Sequence, residues 1–324
     1  MCTEGIIDRY VNFYTDFAFK KLFGTEMNKD LLISFLNALL HGREEIEDIT
    51  YLNTEHIGTQ EYDRRAVFDV YCKNNNGEMF VVEMQKGEQQ FFKDRSIYYS
   101  SFAIREQAPK GVWNYELKGV YTIGILNFCF TDSRNKEYYH EVKLLDTRTK
   151  ELFYDKLTFI YLEMPNFIKQ ENELETMFDK WMYAIRHLGA LEKKPDILRE
   201  KIFQRLFDVA EIAKFDRKER YEYEDSLKAY RDWFSVMETA EIRGLERGMK
   251  KGMEKGMEKG METGMEKGME KGMEKGMAQG MAEGMEKGKR QQLIDTVRKM
   301  KELGMDYTLI AHATGLSSEE IANC

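Results

Sequence analysis

The residues best suited to do chemistry lie between Ala66 and Gln85, AVFDVYCKNNNGEMFVVEMQ. An acid interrupts each of two apolar runs, Asp69 within VFDVY and Glu83 within FVVEMQ. Between them, Asn74-Asn75-Asn76-Gly77 supplies residues that tolerate positive backbone dihedrals, so the stretch reads as two antiparallel strands joined by a tight hairpin. With Asn75, Asn76 and Gly77 as a three-residue loop, residue 74 pairs with 78 and 69 falls opposite 83. Alternation then puts Glu83 and Gln85 on one face, and Val82, Met84 and Lys86 on the other. Asp69, Glu83 and Gln85 can converge on one spot. Adjacent carboxylates repel and resist desolvation unless a positive charge sits between them, and an oxygen-only set suits Mg²⁺ or Mn²⁺. The same three residues would also arise in a sheet with one face in water. Apolar neighbours on both sides of each acid point instead to strands covered on two faces, where a charge requires a partner.

Further residues could serve this site. Thr15 or Asp16 can cap the helix that DFAFKKLFG begins, and Asp16 is read either as that N-cap or as a third carboxylate reaching the site from the helix. Lys20 and Lys21, one turn later, are either phosphate contacts or ordinary solvated lysines. Arg95 follows the second strand on a helical stretch and could hold a phosphate bidentately, with Tyr98 and Tyr99 beside it for bases or for packing. Glu55, His56 and Asp63 precede the hairpin closely enough to be extra ligands, although His56 has no partner at metal-ligand spacing.

These residues have to be positioned by the elements around them. Phe17, Phe19, Leu22 and Phe23 give the first helix an apolar face, and Gly24 can end it. Asn28 opens a second helix with Leu31, Leu32, Phe35, Leu36, Leu39 and Leu40 at helical spacing, stopped at Gly42. A strand is expected over 46–55, then a polar connection to Arg65. After Gln85 a helix over 91–107 has Phe91, Phe92, Ile97, Tyr98, Phe102 and Ile104 as its periodic apolar positions. GVYTIGILNF, residues 119–128, reads as a strand buried on both faces, and 138–145 and 157–164 as two more. Beyond Pro165 three helices are expected, roughly 171–188, 196–213 and 218–241, with Trp181, Ile185, Ile202, Leu206, Tyr230, Trp233 and Phe234 apolar. Alternating strands and helices indicate an α/β layer with a mixed sheet.

The chain has 324 residues, enough for one large or two modest domains, and a net charge of −8 that argues against coating nucleic acid by bulk charge. A local basic groove remains compatible with that balance. Cys2, Cys72, Cys129 and Cys324 show no CxxC or Cys/His spacing, and no signal peptide or membrane-length apolar run is seen. A reduced, cytoplasmic compartment and no membrane partner are the expectation. No GxxxxGK[ST] stretch supports a P-loop NTPase.

From Gly244 to Gly288 a Gly-Met-Glu-Lys unit recurs, with glycine at every fourth position. Successive units drift about 40° around a helix, and each glycine costs roughly 1 kcal/mol relative to alanine. Small residues every four positions nonetheless permit close helix approach, so the repeat reads as a rod or oligomerisation element, with a flexible charged linker as the alternative. In the tail, Leu293, Val297, Met300 and Leu303 mark one helix ended by Gly304, Tyr307 to Ala313 another, and Ser317 with Glu320 a capping box for the last. That spacing is similar to a helix-turn-helix, but the last helix is acidic.

Asp16-Phe17-Ala18-Phe19-Lys20-Lys21-Leu22-Phe23-Gly24, the LLISFLNALL helix, Phe68-Asp69-Val70, and Val82-Glu83-Met84-Gln85 followed by Phe91, Arg95 and Tyr99 resemble the PD-(D/E)XK nuclease family transposases, also called the recombination-promoting nuclease/putative transposase family. The likeness covers roughly residues 10 to 240. It implies a restriction-endonuclease-like core of residues 1–165, a mixed sheet flanked by helices, with a helical extension at 166–243, the repeat rod at 244–288 and a small helical tail at 289–324. It further implies a metal-dependent DNA endonuclease, with Asp69 and Glu83 as metal ligands and Asp16 as the first-helix acid. Gln85 would occupy the position of the usual lysine. Glutamine can orient water but cannot act as a base at neutral pH. A binding or scaffold protein descended from such nucleases, no longer cutting, is the alternative reading.

Overall fold

The computed structural model describes residues 8–43, 45–53, 55–56, 66–109, 111–130 and 136–324, and it divides into two compact units, Met1–Val236 and Met237–Cys324. The first unit opens with α1 (Asp16–Phe23) and α2 (Lys29–Leu39). Thr15 caps α1, its side chain accepting the Ala18 amide, so the cap is Thr15 and Asp16 is the first helical residue. Strands β1 (Ile49–Tyr51), β2 (Glu55–His56), β3 (Ala66–Val67), β4 (Val70–Asn74) and β5 (Met79–Gln85) come next, then α3 (Phe92–Glu106), β6 (Val120–Leu126), β7 (Tyr139–Leu145) and β8 (Leu152–Glu163). Helices α4 (Met177–His187), α5 (Lys201–Ala210) and α6 (Arg217–Glu302) complete the order as far as the tail.

Six strands form one mixed sheet in the order β1-β4-β5-β6-β8-β7. β5, β6 and β8 run parallel, whereas β4 and β1 on one side and β7 on the other are antiparallel to their neighbours. The hairpin register is as expected, with Val70 opposite Val82 and Lys73 opposite Met79, and Gly77 at a φ of 83° turns the chain. The strand expected over 46–55 shortens to β1, and β2 pairs instead with β3 in a separate two-stranded ribbon. The apolar run from Ala66 is broken at Phe68-Asp69, where the chain leaves one ladder before joining the other. Asp63 and the side chains of Glu55 and His56 lie outside the described residues.

Both faces of the sheet are covered, which is why β5 and β6 are buried at every position. Phe80, Val82, Met84, Ile123 and Ile125 face α1, α2, α4 and α5, and Tyr223 from the start of α6 joins that core. Tyr71, Met79, Val81 and Val120 face α3. The buried side of α3 is only in part the expected row: Phe92 and Phe102 are buried and Ile104 packs against the core, but Phe91, Ile97 and Tyr98 are exposed, and Ser96, Ser100 and Ala103 lie against the sheet in their place. Small side chains let the helix approach closely, and the serine hydroxyls bond the Phe92 and Ile97 carbonyls at 2.9 and 2.8 Å, so burying them leaves no lost hydrogen bond. Phe234 is likewise exposed rather than core.

The second unit holds the rest of α6, which includes the whole repeat, and α7 (Tyr307–Thr314) and α8 (Ser318–Asn323). Val297, Ile310 and Ile321 make its small core, with Gly315 left-handed at the turn and the Ser317/Glu320 capping box formed. No helix among the described residues is long and apolar enough to cross a membrane.

Trp181 centres the larger core. It is fully buried, its ring centroid lies 5.8, 6.0 and 5.1 Å from those of Phe23, Phe35 and Phe203, and its indole N–H donates to Ser34 at 3.2 Å. Trp181→Ala is expected to destabilise the first unit by about 3–5 kcal/mol. Urea unfolding tracked by far-ultraviolet circular dichroism measures it, and a cost within experimental error would mean that the helices are not organised around this residue.

Candidate active site

Asp69 and Glu83 meet where β4 begins and β5 nears its end. Asp69 stands one residue before β4, so its side chain is not bound to the alternation of the ladder. The backbone N–H of Asp69 donates to Glu83 Oε1 at 3.2 Å, and the Met84 N–H donates to Asp69 Oδ2 at 3.0 Å. Each acid therefore accepts an amide from the strand that carries the other. Gln85 donates its side-chain amide to Glu83 Oε2 at 3.2 Å. Both Glu83 oxygens and one Asp69 oxygen are thus positioned by the hairpin itself, and the three expected residues do come together.

Two recesses open on this junction. On the α3 side, Glu83 sits with Arg95, Ser96, Tyr99, Thr122 and Gly124 around a tight pocket. Gly124 lies opposite Glu83 in the parallel register, and a Cβ there would stand 3.1 Å from the Tyr161 ring and 3.3 Å from Phe92, so any side chain would require these rings to give way. On the α1 side, Asp69 lines an open cleft of about 1020 Å³ with Asp16, Lys20, Lys21 and Lys86. Its far wall, from the start of α6, carries Glu219, Glu222 and Asp225, so five carboxylates face three lysines.

The electrostatics result from this placement. Glu83 is only 6 % exposed; burial first and Asp69 second push its carboxyl up to about 8, against smaller opposing effects of the Asp69 amide, Arg95 and Gln85. Asp69 is also raised, by burial first, with the Met84 amide opposing and then Asp16 raising it, while Lys20 and Arg95 pull it down. Without a cation the pair holds a proton that two solvated carboxylates would not hold at neutral pH.

The remaining expected residues fall on the walls. Asp16 pairs with Lys20 at 3.1 Å on the exposed surface of α1. Lys21 is bound to Glu219 and lies 4.7 Å from the Phe215 ring centre, which ties it to α6 and away from free phosphate contact. Arg95 bonds Gln89 and stacks near Phe92 and Tyr99, at 5.5 and 5.7 Å, beside Glu83. Lys86 faces away from Glu83, as alternation expects, but Asp69 opens to that same side because the chain leaves the ladder at Phe68-Asp69. Thr122 was missed; its hydroxyl is buried beside Glu83 with no hydrogen-bond partner among the described residues, and a threonine inside an apolar strand is the trace it leaves in the sequence.

The donor set fits a hard divalent ion held by few protein ligands. Asp69 and Glu83 offer carboxylate oxygens within one hydrogen-bonded unit, and the neutralising proton marks where positive charge is wanted. Among the described residues no three or more of His, Cys, Asp and Glu are grouped closely enough to form an all-protein metal cage, so water and substrate would complete the coordination, as suits Mg²⁺. Asp16 stands across the cleft.

Nothing among curated proteins or solved structures matches the chain. The profile of the PD-(D/E)XK nuclease family transposases matches residues 13–240, which takes in α1, the six-stranded sheet, Asp69, Glu83 and Gln85, and the start of α6. With that match spanning more than half of its length, the chain belongs to the PD-(D/E)XK nuclease family transposases.

Proposed function

We propose that the protein is a metal-dependent DNA endonuclease that hydrolyses phosphodiester bonds, of the transposase or recombination-promoting type. The observation that carries this reading is the interlock of Asp69 and Glu83 through each other's strand, at the edge of an open cleft of about 1020 Å³. Asp69 and Glu83 would hold Mg²⁺ or Mn²⁺. Such a cation, when bound, supplies Lewis acidity to the phosphodiester and to its attacking water.

The chain's own residues have separate tasks. Gln85 fixes the Glu83 carboxylate and can orient water, yet it cannot remove a proton. Glu83 would give up its proton to a bound cation, and the positive potential that favours the ionised acids comes from Arg95 beside both and from Lys20 beside Asp69. Lys86 and Lys20 face the cleft and would meet the phosphate backbone; Asp16 steers Lys20. The repeat is read as the element through which copies of the chain associate, and the site of action as the cytoplasm.

Plasmid cleavage tests the site directly. Purified protein should nick supercoiled plasmid with Mg²⁺ or Mn²⁺ and not with EDTA. Asp69→Ala and Glu83→Ala should each lower the rate by about 10³-fold or more, and Lys86→Ala by roughly tenfold, chiefly through weaker DNA binding at raised salt. Wild-type protein that binds DNA without cutting any substrate, or carboxylate variants that cut normally, would hand the site to a non-cutting scaffold.

A second test uses pH. Because the folded-state value of Glu83 is raised, its contribution to stability is full below the ordinary carboxyl range and is lost as pH climbs from there to about 8. The melting temperature of metal-free protein should therefore fall between pH 5 and pH 8 more steeply for wild type than for Glu83→Gln. Added Mg²⁺ should raise it more at pH 8 than at pH 6, and should not raise it in Glu83→Gln. Equal slopes for the two proteins would remove Glu83 from the buried site.

A further inference from the structure

The repeat is helical throughout, and no described residue covers it. Each methionine from Met249 to Met285 is 62–75 % exposed, and a Cβ placed on any glycine from Gly244 to Gly288 would meet no atom within 4 Å. Alone, this is a poor helix. Glycine every fourth residue costs about 1 kcal/mol each relative to alanine, and the unit stacks like charges four apart, as at Glu254 and Glu258 or Lys255 and Lys259. Lysine three residues before glutamate recovers little, and among the described residues no ion pair joins a lysine and a glutamate of the repeat.

The same pattern is complementary to a copy of itself. Residues four apart form continuous rows, and around the helix the rows run in the order Gly, Met, Glu, Lys, about 90° apart. The methionines make a ridge and the neighbouring glycines a groove. Ridges of this four-residue class pack into the matching grooves of a second helix at a crossing of about −50°.

The charges decide the direction. Across the contact one helix presents Lys, Gly, Met, Glu from left to right. A parallel copy, related by a two-fold axis along the pair, presents Glu, Met, Gly, Lys. Methionine then enters glycine in both directions, and lysine meets glutamate on both flanks. An antiparallel copy presents Lys, Gly, Met, Glu again, so like rows face like, and any shift that seats one methionine row leaves the other against charge.

We propose that the repeat is the interface of a parallel homodimer, with a Met-ridge-into-Gly-groove seam flanked by Glu–Lys pairs. The seam is a crossing of a few units: tracking the rows along the whole repeat would wind the pair once in about 36 residues, or ~54 Å, far tighter than the ~150 Å of two-stranded coils. This inference is independent of whether the site at Asp69 and Glu83 cuts.

Sedimentation of the full chain tests it. The expected mass is close to twice the 38.3 kDa of one chain, with association weakening as salt rises. Replacing every glycine from Gly248 to Gly284 by glutamine fills the groove while improving helix propensity. That variant should keep or gain helicity by circular dichroism and associate at least ~tenfold more weakly. A second variant with the Glu and Lys rows exchanged should pair with itself and fail to pair with labelled wild type. A wild-type monomer, a dimer that survives the glutamine series, or wild type pairing with the exchanged chain each overturns the proposal. Asp69→Ala protein should dimerise like wild type, which separates this result from any failure of the nuclease reading.

Discussion

A carboxylate removed from water without a counter-ion is expensive, and Glu83 is placed in that condition at the centre of the sheet. What makes the position tolerable is local. Two backbone amides, one from each strand of the hairpin, are spent on the two acids, and a glutamine amide takes the remaining Glu83 oxygen. The cost not met by these bonds appears as a retained proton. The rest of the first unit can be understood as what this arrangement requires: helices on both faces to keep water off the strand, a glycine at Gly124 that leaves the Tyr161 and Phe92 rings undisturbed beside it, and an open cleft on the α1 side.

That opening exists because the chain departs from regularity at Phe68-Asp69. Had the ladder continued, Asp69 would have been confined beside Glu83 on the α3 face. Leaving it lets one acid remain nearly dry while the other touches the cleft, so the pair spans the boundary between protein interior and solvent. α3 contributes by approaching closely on serines and an alanine, which brings Arg95 and Tyr99 to the buried member of the pair. The wall from α6 is fixed on the opposite side by the Asn12 and Phe17 amides, which donate to Tyr223 Oη and Ser226 Oγ at 3.0 and 3.1 Å.

Much of this could be read from residue types because parity is a strong constraint. Asn-Asn-Gly sets the hairpin loop, the loop sets the register, and the register places 69 opposite 83 and Glu83 with Gln85. The long apolar run of β6 and the leucine periodicity of α2 were legible for the same reason: burial on all sides leaves no alternative spacing. What was not legible depends on tertiary fit. Serine is polar by type, yet Ser96 and Ser100 are interior because they satisfy their own hydroxyls on the preceding turn. Thr15 and Asp16 are equivalent caps on paper, and only the approach of the chain to α1 chooses between them. Lys86 obeys alternation, but alternation is silent about a neighbour that has left the strand.

The repeat has a property that ordinary helices lack. Because its period is a whole number of residues, a chain that gains or loses complete units keeps every Gly, Met, Glu and Lys in its own row. Each inserted unit lengthens the helix by about 6 Å and rotates the downstream chain by about 40°. Length can therefore drift between generations of the sequence without spoiling the chemistry of any row, while the orientation of the small helical tail is reset by each step. In that respect the segment behaves as an adjustable spacer, whose reach is an evolutionary variable decoupled from its surface pattern.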